Sequence, residues 1–174
     1  MPDGTKITVA VTWKSISTAG VLANSSANAY VAGWAIDAFK PFAYYPLPLA
    51  EKIYGGSLNS DLDADIVLNI NSSMNWYLGT DGKTSSQQYD LVTVVLHELL
   101  HGLGFIDSME VEGNLGYYGS NSVPSIYDLF IENYSGKLLT DTLIFKNPSN
   151  TLKTEITSGL LFLMVLFFQS LRVE

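Results

Sequence analysis

The sequence predicts an α+β fold on three observations: alternating strand patterns early in the chain, one long apolar helix in the middle, and shorter helical segments after it. Lys6 to Trp13 alternates, with Ile7, Val9, Val11 and Trp13 on one face, and is expected to form a half-buried strand. Ser17 to Gly33 is rich in Gly, Ala, Ser and Asn and supports no assignment. Pro41, Pro46 and Pro48 interrupt the next stretch, and Leu47 to Tyr54 suits a short helix stopped by Gly55-Gly56. Asp65 to Asn71 alternates again, with Ile66, Leu68 and Ile70 on one side, before a loop through Asn75, Gly79 and Asp81-Gly82. Tyr89 to Leu103 is the strongest helix, capped by Asp90 and followed by Gly104, where a left-handed residue stops it. Ser125 to Asn133 and Ser149 to Ser158 are expected as two shorter helices. Gly159 to Phe168 is nearly all apolar, yet about half of the ~20 residues a membrane span requires, so it suits a buried strand or helix.

Length and composition bound the function. A chain of 174 residues without repeats or a long linker suits one domain, residues 1–174. With 17 acidic against 9 basic side chains the net charge is −8, which argues against nucleic acid, whose phosphates need clustered Lys and Arg. The absence of cysteine excludes disulfides, thiolate chemistry and cysteine-ligated metal. No basic segment followed by an apolar one opens the sequence, so no signal peptide is read there. Asp61, Asp63 and Asp65 do not make an EF-hand, because Ile66 and Ser72 stand where that loop needs Gly and Glu. No G-x-S-x-G or Walker-type loop is present. The aromatic group Trp76, Tyr77, Tyr117 and Tyr118 is better explained by packing than by a substrate cleft.

Both histidines of the chain fall in the long helix, as His97-Glu98-Leu99-Leu100-His101. A spacing of four puts the rings one turn apart on one face, where two imidazoles can share a tetrahedral metal ion. Glu98 lies about 100° round the helix, near such a metal without ligating it, and can accept a proton from water activated there. Leu91, Val92, Val94, Val95, Leu96, Leu99, Leu100 and Leu103 surround the helix, which is therefore expected to be interior. Two histidines and a carboxylate inside such a helix are costly unless satisfied, and a divalent cation would satisfy all three. Catalytic zinc usually takes a third protein ligand. Gly102 and Gly104 let the chain turn back so that Asp107 can supply it, with Glu110 and Glu112 as competing carboxylates.

His97-Glu98-x-x-His101-x-x-Gly104-x-x-Asp107 resembles the extended signature of the metzincin zinc peptidases, with Asp in place of the commoner third His. The stretch from about Asp65 to Asn133 is similar to secreted bacterial metzincin-like members, through DIVLNINSS, NWYLGTDG and HELLHGLGF. The resemblance implies a zincin-like α+β fold: a twisted mixed sheet, a backing helix and a central zinc-binding helix. It implies Zn2+ held by His97, His101 and Asp107, with Glu98 as general base, in a secreted endopeptidase acting on protein or peptide substrates. It also implies that an edge strand, Ile66 to Asn71 with Ile66, Leu68 and Ile70, binds substrate backbone in extended form. Neither Met109 nor Met164 sits in the methionine-containing turn of that family, and the likeness fades near Ser158-Gly159, as in a truncated C-terminus. These departures and the apolar tail support the rival class, an inactive peptidase-fold binding module. Neither a transmembrane segment nor a nucleic-acid partner is expected.

Overall fold

The computed structural model describes residues 6–60 and 63–164. The chain, expected as one domain, gathers into two compact units, residues 1–106 and 107–174.

In the first unit, strands β1 (Val9–Lys14), β2 (Ala23–Ala27) and β5 (Ile66–Asn71) form a three-stranded sheet in the order β1-β5-β2. β5 runs parallel to β1, from Val9 opposite Ile66 to Lys14 opposite Asn71, and antiparallel to β2, from Ala27 opposite Ile66 to Ala23 opposite Ile70. The alternation in β5 is realised as expected: Ile66, Leu68 and Ile70 point inward and are buried. Its position is not. Both edges of β5 carry a neighbouring strand, so its backbone has no free edge for an extended substrate, and Ile66, Leu68 and Ile70 are core residues. β1 takes an edge place instead, and leaves Val11 and Trp13 more than half exposed where a half-buried strand was expected. β2 forms from Ala-Asn-Ser-Ser-Ala, a sequence of low strand propensity held by its ladder to β5.

Between these strands, β3 (Tyr30–Ala32) and β4 (Tyr44–Pro46) pair antiparallel, and helix α1 (Leu47–Tyr54) packs against both. Its limits match the sequence expectation, with Gly55 closing the helix through its N–H to the Glu51 carbonyl. Two short parallel strands, β6 (Trp76–Tyr77) and β7 (Tyr89–Asp90), then lead into helix α2 (Leu91–Gly102). Leu91, Val94 and Val95 pack against the core of Leu68, Ile70 and Trp76. α2 lies on β2 and β5 along one face only: Val92, Leu96 and Leu100 are exposed, so the helix is not interior all round. An apolar circumference gives no information about which side the sheet will cover.

The second unit contains the hairpin β8 (Met109–Glu112) and β9 (Leu115–Tyr118), strand β10 (Ile131–Asn133), helix α3 (Asn150–Ile156) and strand β11 (Leu161–Leu163), which pairs antiparallel with β10. Its core joins Tyr118, Ile131, Leu139, Phe145 and Leu152. α3 begins where expected, with the Ser149 hydroxyl accepting the Leu152 N–H at 3.0 Å. Ser125 to Asn133 is not a helix. A single 3-10 turn at Asp128–Phe130 gives way to β10, whose Ile131 and Asn133 turn inward with a strand's period of two. Of the apolar tail, Leu161 to Leu163 is a strand as one expectation had it, but Phe162 and Leu163 are exposed; residues 165–168 lie outside the described residues. No helix among the described residues is long and apolar enough to cross a membrane.

Candidate metal centre

The Asp90 carboxylate opens α2 by accepting the Thr93 N–H at 2.7 Å and the Thr84 hydroxyl at 2.9 Å. The Thr93 backbone N–H, helped by the Thr93 and Thr84 hydroxyls, holds the Asp90 carboxyl below its ordinary pKa. This cap fixes where the helix starts, and so which side chains share each face.

The other end of α2 is set by two glycines. A Cβ on Gly102 would come within 2.4 Å of Ile66 Cγ2, so only glycine lets the last turn settle on β5. Gly104 has a φ of +102°, and a Cβ there would also meet Pro46 Cγ at 2.6 Å. The chain then folds back over the helix end, with Gly104 N–H on the His101 carbonyl and Phe105 N–H on the Leu100 carbonyl. That reversal brings the Phe105 carbonyl to 2.9 Å from His101 Nδ1.

A carbonyl only accepts, so Nδ1 carries a proton and donates it; in the neutral ring this tautomer leaves the lone pair on His101 Nε2. Nε2 of His101 and Nε2 of His97 stand 2.9 Å apart, with the rings edge to face at 87°. His97 is exposed and His101 half-buried. Glu98, 8% exposed, is on the helix face of Val94, Val95 and Gly102. No hydrogen bond or ion pair from a described residue reaches its carboxylate.

These donors fit two positions of a zinc site: paired imidazole nitrogens, one with its tautomer fixed by a backbone carbonyl, as metal-ligating histidines usually are. Among the described residues no three His, Asp or Glu side chains gather into a set that could hold a metal ion. Asp107 belongs to the second unit, is exposed, and accepts the Met109 N–H at 2.9 Å through Oδ1. Of its competitors, Glu110 accepts the Tyr117 hydroxyl at 2.7 Å, and that bond raises the Tyr117 pKa. The expected substrate residues Ile66, Leu68 and Ile70 contribute packing beneath α2 and no exposed edge. Phe105 carries no side-chain signal for its part, since its carbonyl makes the contact; the sequence hint is the pair of glycines that turns the chain.

The family model described as SPBPB7E8-like matches residues 37–168, about three quarters of the chain and all of α2. The chain belongs to the SPBPB7E8-like family. One relative is the uncharacterized protein PB7E8.01 of Schizosaccharomyces pombe, 34% identical over 70 residues. That match covers 40% of this SPBPB7E8-like chain and 12% of the S. pombe protein. No solved structure matches the chain.

Proposed function

We propose that this chain is a zinc-dependent endopeptidase domain, with His97 and His101 as two metal ligands, Asp107 as the third, and Glu98 as the general base. The observation that carries the reading is the pair of Nε2 atoms 2.9 Å apart, with the Nδ1 of His101 held on the Phe105 carbonyl at 2.9 Å. Zinc, when bound, supplies Lewis-acid polarisation of the scissile carbonyl and acidifies water at neutral pH. Glu98 takes a proton at a carboxylate oxygen from the attacking water and returns it to the leaving amine nitrogen. The Phe105 carbonyl holds the His101 ring at one angle, so the ring need not reorient to bind the ion. The substrates in this reading are proteins or peptides, and the secreted location follows from the metzincin resemblance.

A second reading, a non-catalytic binding module, is favoured by one observation: the exposed apolar face of α2 at Val92, Leu96 and Leu100. Metal content separates the two. About one zinc per folded chain, lost in His101→Ala and weakened in Asp107→Ala, is the expected result. Glu98→Ala should then keep zinc and lose peptide cleavage. A folded parent chain that takes up no zinc overturns the peptidase reading and leaves the binding module.

A further inference from the structure

Among the described residues, Ser25 Oγ is a buried side-chain oxygen without a hydrogen-bond partner. Ser25 is the central residue of β2, turned inward between Ala23 and Ala27, which are buried, while Asn24 and Ser26 face outward and are exposed. α2 packs on β2, so the inward face of this strand is the one the helix covers.

The register places Glu98 at the same level. Gly102 sits over Ile66, and Leu91, Val94 and Val95 lie against Leu68, Ile70 and Trp76, so α2 runs antiparallel to β5. Glu98 precedes Gly102 by one turn on the same face, a rise of about 6 Å. Two residues along β5 from Ile66 is a rise of about 7 Å and reaches Leu68. The residue opposite Leu68 on β2 is Ser25. The helix–sheet interface thus brings to one level the carboxylate of Glu98, a residue only 8% exposed, and the buried Ser25 hydroxyl, neither with a hydrogen-bond partner among the described residues.

We propose that Ser25 is a positioning residue for Glu98: its hydroxyl donates to a buried water that in turn donates to the Glu98 carboxylate. The inference rests on the reading of Glu98 as general base, and adds the group that aims it. A buried water needs polar partners on more than one side, and these two groups supply them. The donated bond offsets part of the cost of a buried carboxylate and limits its rotamers.

The test is a double-mutant cycle on the metal-free full chain, followed by tryptophan fluorescence. Trp13, Trp34 and Trp76 all lie in the first unit, so the signal reports the unit that holds both residues. Ser25→Ala should raise the unfolding equilibrium constant about tenfold when Glu98 is present and by less than about twofold in a Glu98→Leu background. Ser25→Thr, which keeps the hydroxyl, should restore most of the loss. Equal effects of Ser25→Ala in both backgrounds overturn the proposal. A crystal structure of the metal-free parent should show a water bridging Ser25 Oγ and the Glu98 carboxylate. Ser25 Oγ bonded instead to a backbone carbonyl would also overturn it. Zinc uptake by Ser25→Ala should equal that of the parent, so loss of the coupling alone leaves the metal reading standing.

Discussion

Two buried acidic residues, one from each unit, are treated in opposite ways, while Glu51 and Asp65 of the first unit accept hydrogen bonds as the carboxylate of the second unit does. Asp128, in the second unit, is fully buried; its carboxylate accepts the Ser108 N–H at 2.8 Å, the Ser125 N–H at 2.7 Å and the Ser108 hydroxyl. Glu98, in the first, is almost as buried and receives no hydrogen bond from a described residue. A carboxylate enclosed by donors is part of the scaffold, since its bonds hold separate chain segments together. One buried without donors costs stability and persists when something else uses it. The contrast distinguishes Glu98, the proposed general base, from the scaffold carboxylates more sharply than burial alone.

The comparison can be broken most directly by deleting both carboxylates. Asp128→Ala should cost about 3 kcal/mol, because it leaves the Ser108 and Ser125 N–H groups without their acceptor. Faster amide exchange at those two positions would report it. Glu98→Leu in metal-free protein should leave stability unchanged or raise it, because it removes a charge the fold does not pair. Similar large losses in both variants would mean that Glu98 is as structural as Asp128.

A smaller effect tests what surrounds Glu98. Gly102→Ala should cost about 2 kcal/mol, because the added methyl must displace the buried Ile66 side chain. It should also move His101 and lower zinc affinity, whereas a surface change on α2 such as Leu96→Gln should leave zinc affinity alone. Urea unfolding and zinc titration of the two variants would decide it.

The smallest effect is at the helix start. Asp90 has its pKa lowered by the Thr93 N–H and its neighbouring hydroxyls. Its contribution is therefore complete above the ordinary carboxylate pKa, and is lost as pH falls through the lowered one. Asp90→Asn, which keeps an acceptor oxygen but no charge, should remove that part of the acid dependence of α2 unfolding. An acid profile identical to the parent's would show that the charge contributes nothing beyond the cap itself.

Local signals in the sequence foretold the elements that local physics controls. α1, α2 with its Asp90 cap, the alternation of β5 and the start of α3 at Ser149 all follow from caps, glycine stops and periodicity. The paired histidines follow from helical spacing alone. What escaped depends on partners far along the chain. β2 lacks strand-forming residues and exists through its ladder to β5, which in turn makes β5 a central strand. Ser125 to Asn133 has apolar residues at helix-compatible spacing, but Asp128 is tied back to Ser108 and Ile131 pairs with Leu163. The exposed side of α2 follows from where the sheet lies, and no pattern on the helix encodes that.

The contact between Gly102 and Ile66 has a mechanical consequence. With no side chain on the glycine to act as a cushion, the last turn of α2 rests directly on the Ile66 side chain of a central strand that is gripped on both edges. Close-packed interiors transmit displacement with little loss. The helix turn that carries His101 is therefore seated on the sheet through Gly102. A change on either flank of β5 that tilts the strand should therefore shift the turn that carries His101 without touching the helix.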